Sequence, residues 1–132
     1  MENEVIKRLK ELFYEQYEKL CEIAKHSREE YLKDKDLQAI CERKLQVSIQ
    51  ICIDMANRLI SLNKWEKPES YAEAFEVLYR HNVIDENMFN AMAKFAGLRN
   101  LLVHGYAKIM QEALYDTIKN DLKYLKNFVD NF

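Results

Sequence analysis

Apolar residues recur at the three-and-four spacing of a helix face along almost the whole chain. The first stripe, Val5, Ile6, Leu9, Leu12, Phe13, Leu20, Ile23 and Ala24, predicts a helix over roughly residues 2–26. From His26 to Asp36 the charge is dense and the period is lost, so this segment reads as a helix end or a connection. A second stripe, Leu37, Ile40, Cys41, Leu45, Ser48, Ile51, Cys52, Met55, Leu59 and Leu62, predicts a long helix. Inside it Val47, Ile49, Ile51 and Ile53 alternate as the residues of a half-buried strand would. The helical period continues for several turns on both sides without a turn residue, and length decides for the helix. That helix is then apolar on more than one face, and part of the surplus at Val47, Ile49 and Ile53 is expected to meet another subunit.

Around Trp65 to Pro68 the pattern stops. Ser70-Tyr71-Ala72-Glu73 has the form of a capping box and opens a third helix with Phe75, Leu78 and Tyr79 inward. His81-Asn82-Val83-Ile84 ends it, and Asp85 can cap a fourth helix carrying Met88, Phe89, Met92, Phe95 and Ala96. After Gly105 a fifth stripe, Ile109, Leu114, Ile118, Leu122, Leu125, Phe128, Val129 and Phe132, reaches the end of the chain. The pattern predicts an all-α, up-and-down bundle of four to five helices in a single domain spanning residues 1–132.

Composition narrows the picture further. With 48% hydrophobic and 11% aromatic residues the chain is not disordered, and two Gly and one Pro are too few for a turn-rich β-fold. A net charge of −2 excludes broad electrostatic coating of nucleic acid or of an anionic membrane. Cys21, Cys41 and Cys52 are odd in number, widely spaced and set in apolar helical patterns, so they read as reduced core residues. Neither a metal cluster nor a cofactor motif is visible. Met1-Glu2-Asn3-Glu4 lacks the start of a signal peptide, and no apolar run approaches the roughly 20 residues of a membrane span. The expected location is cytoplasmic.

Most of the candidate chemistry lies in Arg99-Asn100-Leu101-Leu102-Val103-His104-Gly105-Tyr106. On a helix turning roughly 100° per residue, with Arg99 at zero, Tyr106 falls near 340°, Val103 near 40°, Asn100 near 100° and His104 near 140°. Leu98, Leu101, Leu102 and Gly105 fall between about 200° and 300° and predict an apolar anchor. The other side gathers a guanidinium, an amide, an imidazole and a phenol, with none of the Glu, Lys and Asp that mark solvent faces elsewhere in the chain. Arginine offers a fixed fork of donors to phosphate oxygens, and imidazole moves protons near neutral pH. The spacing alone leaves a structural role and a functional one about equally open.

The string Arg99 to Tyr106 resembles the RxxxxHxY signature of HepT-like proteins, toxins of the HEPN superfamily, at every motif position. The likeness continues through Glu42-Arg43 to Asp54, Tyr71-Ala72-Glu73-Ala74-Phe75 to Leu78, Asn82-Val83-Ile84 and Met92 to Gly97, and covers most of the chain after about residue 36. Where such proteins often carry an acidic residue between His and Tyr, this chain has Gly105.

The resemblance implies a HEPN-like homodimer acting as a metal-independent endoribonuclease on RNA at a composite cleft. His104 would be the general acid or base, Arg99 would stabilise charge on phosphorus, and Asn100 would orient the phosphate or the imidazole. It also implies a minimal nucleotidyltransferase antitoxin as partner, which AMPylates Tyr106 and so places an anion where the RNA phosphate must bind. The rival reading is a non-catalytic partner that holds nucleotide or substrate for a separate nucleotidyltransferase. A third is a purely structural dimerising bundle.

The remaining candidates carry less. His26 and His81 lie at helix ends, where capping a carbonyl is the simpler role. Asp54 either approaches the motif or pairs with Arg58 four residues on. Trp65, beside Lys64 and Lys67, either touches RNA or covers the core. Lys108, Lys119, Lys123 and Lys126 help make residues 94–132 mildly basic, with six basic residues against four acidic.

Overall fold

The structure, a computed structural model, describes residues 2–104 and 109–132. Seven helices and no strand occur among the described residues: α1 Glu2–Ile23, α2 Arg28–Lys33, α3 Lys35–Leu62, α4 Tyr71–Arg80, α5 Glu86–His104, α6 Gln111–Asn120 and α7 Leu122–Asp130. The all-helical reading holds, while the expectation of four to five helices falls short at two places. The charged segment after His26 contains α2, which Ser27 caps. Its hydroxyl accepts from the Glu30 N–H, and the Glu30 carboxylate accepts from the Ser27 N–H at 2.9 Å. This Ser-x-x-Glu signature stands in the sequence and was obscured by the surrounding charge. The last stripe is interrupted at Asp121, which divides it into α6 and α7.

Side-chain caps start the helices, and tight backbone bonds stop them. Asp34 caps α3 through the Leu37 N–H at 3.0 Å, Ser70 caps α4 through the Glu73 N–H at 3.0 Å, and Asp85 accepts from the Met88 N–H at 2.8 Å. The Ser70 box is half formed, because the Glu73 carboxylate takes the N–H of Glu69 instead of that of Ser70. At the ends of α3 and α4 a residue with positive φ reverses the chain, Lys64 at 56° and Asn82 at 62°. The N–H groups of Trp65 and Val83 then reach back to the carbonyls of Ile60 and Leu78, forming two Schellman motifs without glycine.

α3 is the central element. It packs against α1, α4, α5 and α7, which explains an apolar surface wider than one stripe. Ile49 and Ile53 are fully buried in this chain's own core and Val47 is half-buried, so the surplus assigned to a second subunit is largely used internally. Cys41 and Cys52 are buried and all three cysteines are free. Burial pushes the Cys41 thiol up to about 11 and that of Cys52 higher still, which keeps both protonated and unreactive. No helix among the described residues is long and apolar enough to cross a membrane.

Candidate active site

α5 is anchored by Met92, Phe95, Ala96 and Leu102, which are buried against α3 and α4. The anchor is therefore centred slightly away from the predicted one: Leu98 is half-buried, and Leu101 remains 49% exposed. Val103 is 40% exposed, so two apolar side chains stand at the surface within the motif itself. Fixing α5 in this way turns Arg99 toward α3 and the start of α4, while Asn100 and His104 are exposed.

Arg99 is held by two uncharged groups. Its Nε donates to Gln50 Oε1 on α3 at 2.8 Å, and its guanidinium carbon lies 4.6 Å from the centre of the Tyr71 ring, the first residue of α4. Gln50 in turn donates from Nε2 to Asp54 Oδ1 at 2.8 Å, which fixes the amide with its oxygen toward Arg99. Among the described residues no carboxylate forms an ion pair with Arg99. The cation is thus positioned but not neutralised, an arrangement suited to an incoming anion.

The alternatives for Asp54 resolve toward the motif. It reaches Arg99 through Gln50 and makes no ion pair with Arg58, whose Nε is buried without a hydrogen-bond partner among the described residues. Asn100 is exposed and borders an open cleft of about 440 Å³ lined also by Asn57, Pro68, Glu69, Ser70 and Tyr71. His104 is the exposed last residue of α5, five positions and roughly 7.5 Å of helix rise beyond Arg99. Tyr106, Gly105 and Lys108 lie outside the described residues. A larger cleft of about 490 Å³, between the other edge of α5 and α6–α7, contains none of the motif residues.

The other candidates have structural partners. His81 stacks on Trp65 with ring centres 4.1 Å apart and bonds Glu66 at 2.9 Å, and Trp65 packs against the core as the simpler reading had it. His26 lies 3.7 Å from Glu30, while its carbonyl accepts from the Tyr115 hydroxyl. Lys119 donates to the Ala24 carbonyl, Lys126 pairs with Asp130, and Lys123 lies over Tyr124. Among the described residues no group of three His, Cys, Asp or Glu could hold a metal ion. Gln50 and Tyr71 were missed from sequence. The available signal was weak, a polar pair four residues apart inside the apolar run of α3 and an aromatic directly after a cap.

The fold and this face define a class, all-helical proteins that carry an arginine and a histidine five residues apart on one helix. The chain belongs to that class as a member of the ribonuclease HepT-like family, whose model matches residues 13–132. It is 27% identical over 101 residues to the mRNA nuclease HepT of Shewanella oneidensis (76% of each chain). It is 31% identical over 103 residues to the tRNA nuclease HepT of Aphanizomenon flos-aquae, covering 78% of this chain and 70% of that one. Among solved structures, a toxin–antitoxin with AMP-PNP superposes with a TM-score of 0.90 over 97% of this chain and 96% of that one at 21% identity. The tri-AMPylated Shewanella oneidensis HEPN toxin in complex with MNT antitoxin gives 0.89 over 96% and 95% at 22%.

Proposed function

We propose that this protein is the toxin of a HEPN/MNT toxin–antitoxin pair and cleaves RNA without a metal ion, at a cleft built by two copies of the chain. The observation that carries the reading is Arg99 itself, fixed by Gln50 and Tyr71 with its charge left for a phosphate. RNA supplies its own nucleophile. The ribose 2′-oxygen bonds to phosphorus as its proton passes to a base, and the bond from phosphorus to the 5′-oxygen breaks as that oxygen takes a proton from an acid. The products are a 2′,3′-cyclic phosphate and a 5′-hydroxyl. The step needs one base, one acid and a cation at the phosphorane, and two copies of His104 with Arg99 provide all three. Asn100 orients the phosphate. The exposed Leu101 and Val103 beside the motif support a second copy as the covering partner.

Control is assigned to Tyr106, two residues past His104. A nucleotide monophosphate attached there by a nucleotidyltransferase partner puts an anion beside Arg99 and His104 and fills the phosphate position. One similar structure is of a tri-AMPylated toxin with its MNT antitoxin, which supports AMPylation as the means of control.

The test is cleavage of RNA by the purified protein in excess chelator, with products analysed for cyclic phosphate ends. Cutting that disappears in His104→Ala and in Arg99→Ala, both folded, is the expected result. Intact RNA together with nucleotide binding favours the non-catalytic partner. Co-expression with a minimal nucleotidyltransferase of the MNT type should add AMP mass to Tyr106, and modification elsewhere overturns that assignment.

A further inference from the structure

The cleft beside Arg99 has walls and polar groups that a phosphate site alone does not require. Its lining is Asn57, Pro68, Glu69, Ser70, Tyr71 and Asn100, and its volume of about 440 Å³ lies within the usual range of about 300–1,000 Å³ for small-ligand sites. Tyr71 carries the guanidinium of Arg99 and Asn100 follows it in the chain, so a nucleotide whose phosphate meets Arg99 has its base within reach of this cleft. Pro68 and Tyr71 give the cleft an apolar wall of the kind against which unstacked RNA bases settle.

The polar groups narrow the ligand. The side-chain amides of Asn57 and Asn100 have no hydrogen-bond partner among the described residues, and the Glu69 carboxylate makes no ion pair there. A carboxylate beside a phosphate-binding arginine repels the RNA backbone, because it can only accept hydrogen bonds. The part of a nucleotide that it attracts is a base edge with N–H groups. Of the four RNA bases only guanine presents two adjacent donor groups, N1–H and the 2-amino group, with an acceptor oxygen beside them for an amide NH₂.

We propose that this cleft is a base-recognition subsite that takes a guanine of single-stranded RNA, with Glu69 as its specificity-determining residue and Asn57 as a supporting contact. The proposal rests on the reading of Arg99 as the phosphate ligand, and it fixes one nucleotide flanking the cut.

The experiment measures binding and cutting separately. Binding of the whole protein to a short oligouridylate carrying one guanosine is compared with the same strand carrying inosine, adenosine or uridine at that place. Affinity should fall by about tenfold from guanosine to inosine, which lacks the 2-amino group, and Glu69→Gln should flatten the series while Glu69→Asp retains it in part. Sequencing of cut ends from a randomised RNA pool should show guanine at one fixed position, lost in Glu69→Gln. Equal affinity for the four strands, or a guanine preference unmoved in Glu69→Gln, overturns the subsite. Guanine-selective binding with uncut RNA keeps the subsite and overturns the ribonuclease reading, whereas cutting without base preference does the reverse. Glu69 is exposed, and circular dichroism checks that each variant is folded.

Discussion

Two clusters in this protein are built from the same parts and arranged to opposite ends. At the start of the α3–α4 connection, Arg80, His81 and Trp65 gather around Glu66: Arg80 Nη1 lies 3.0 Å from one carboxylate oxygen, His81 Nε2 lies 2.9 Å from the other, and His81 stacks on the indole. On α5, Arg99 has its own aromatic partner, Tyr71, and its own acceptor, Gln50, with His104 further along the same helix. The difference is the charge of the acceptor. A carboxylate neutralises its arginine, and because the Arg80 and Glu66 side chains are 44% and 46% exposed, the pair contributes only about 0–1 kcal/mol to stability. An amide oxygen positions the arginine equally well and leaves the full charge for a ligand. The negative charge of Asp54 is kept one hydrogen bond away.

Truncating the two clusters in turn separates them most sharply. His104→Ala and Arg99→Ala should each lower RNA cleavage by about a hundredfold or more, while His81→Ala and Arg80→Ala leave it within about twofold. Rates at equal protein concentration, with melting curves for each variant, decide this.

Making the α5 cluster resemble the other is the next step. Gln50→Glu gives Arg99 a carboxylate partner and should reduce cleavage by about tenfold, equivalent to ~1.4 kcal/mol of transition-state stabilisation. Gln50→Ala removes the support without cancelling the charge and should cost less. Single-turnover rates compare the two variants, and equal losses would mean that Gln50 only packs.

The third change acts on the Glu66 cluster alone. The hydrogen bond from His81 holds the Glu66 carboxyl below its ordinary value near 4.5, helped by the residue's own backbone N–H and by the charges of His81 and Arg80. A depressed folded-state pKa gives stability that is complete above the unfolded value and is lost as pH falls through the folded one. Glu66→Gln should therefore flatten the fall in urea midpoint below about pH 4.5 and leave cleavage at neutral pH unchanged.

The smallest effect concerns a glycine that α5 has and α4 lacks. Gly97 is exposed on the side of α5 that carries Asn100 and His104, and a Cβ there would meet nothing within 4 Å. Gly97→Ala should raise stability by ~0.5–1 kcal/mol through helix propensity. Thermal denaturation reads the gain, and a fall in cleavage despite that gain would mark a close approach by RNA or a second copy.

Much of the fold was legible because helical phase is a local property. The stripes of α1, α3, α4 and α5 and the caps at Ser70 and Asp85 could be placed from neighbouring residues alone. The legible part ended where charge density concealed a regular element, as in α2, or where a continuous stripe concealed a break, as at Asp121. The fate of Ile49 and Ile53 also escaped the pattern. An apolar face looks the same whether its own chain or another covers it, and here the central position of α3 decided.

The same boundary divides the candidate site. That Arg99, Asn100 and His104 share one side of a helix follows from the chain alone, since a period of 3.6 residues fixes their relative directions whatever surrounds them. What Arg99 meets depends on the packing of distant segments. Gln50 is 49 residues away and Tyr71 is 28, and their approach depends on how α3, α4 and α5 pack, which no local spacing encodes. That packing set an amide instead of a carboxylate against the guanidinium, and with it the charge available to a phosphate.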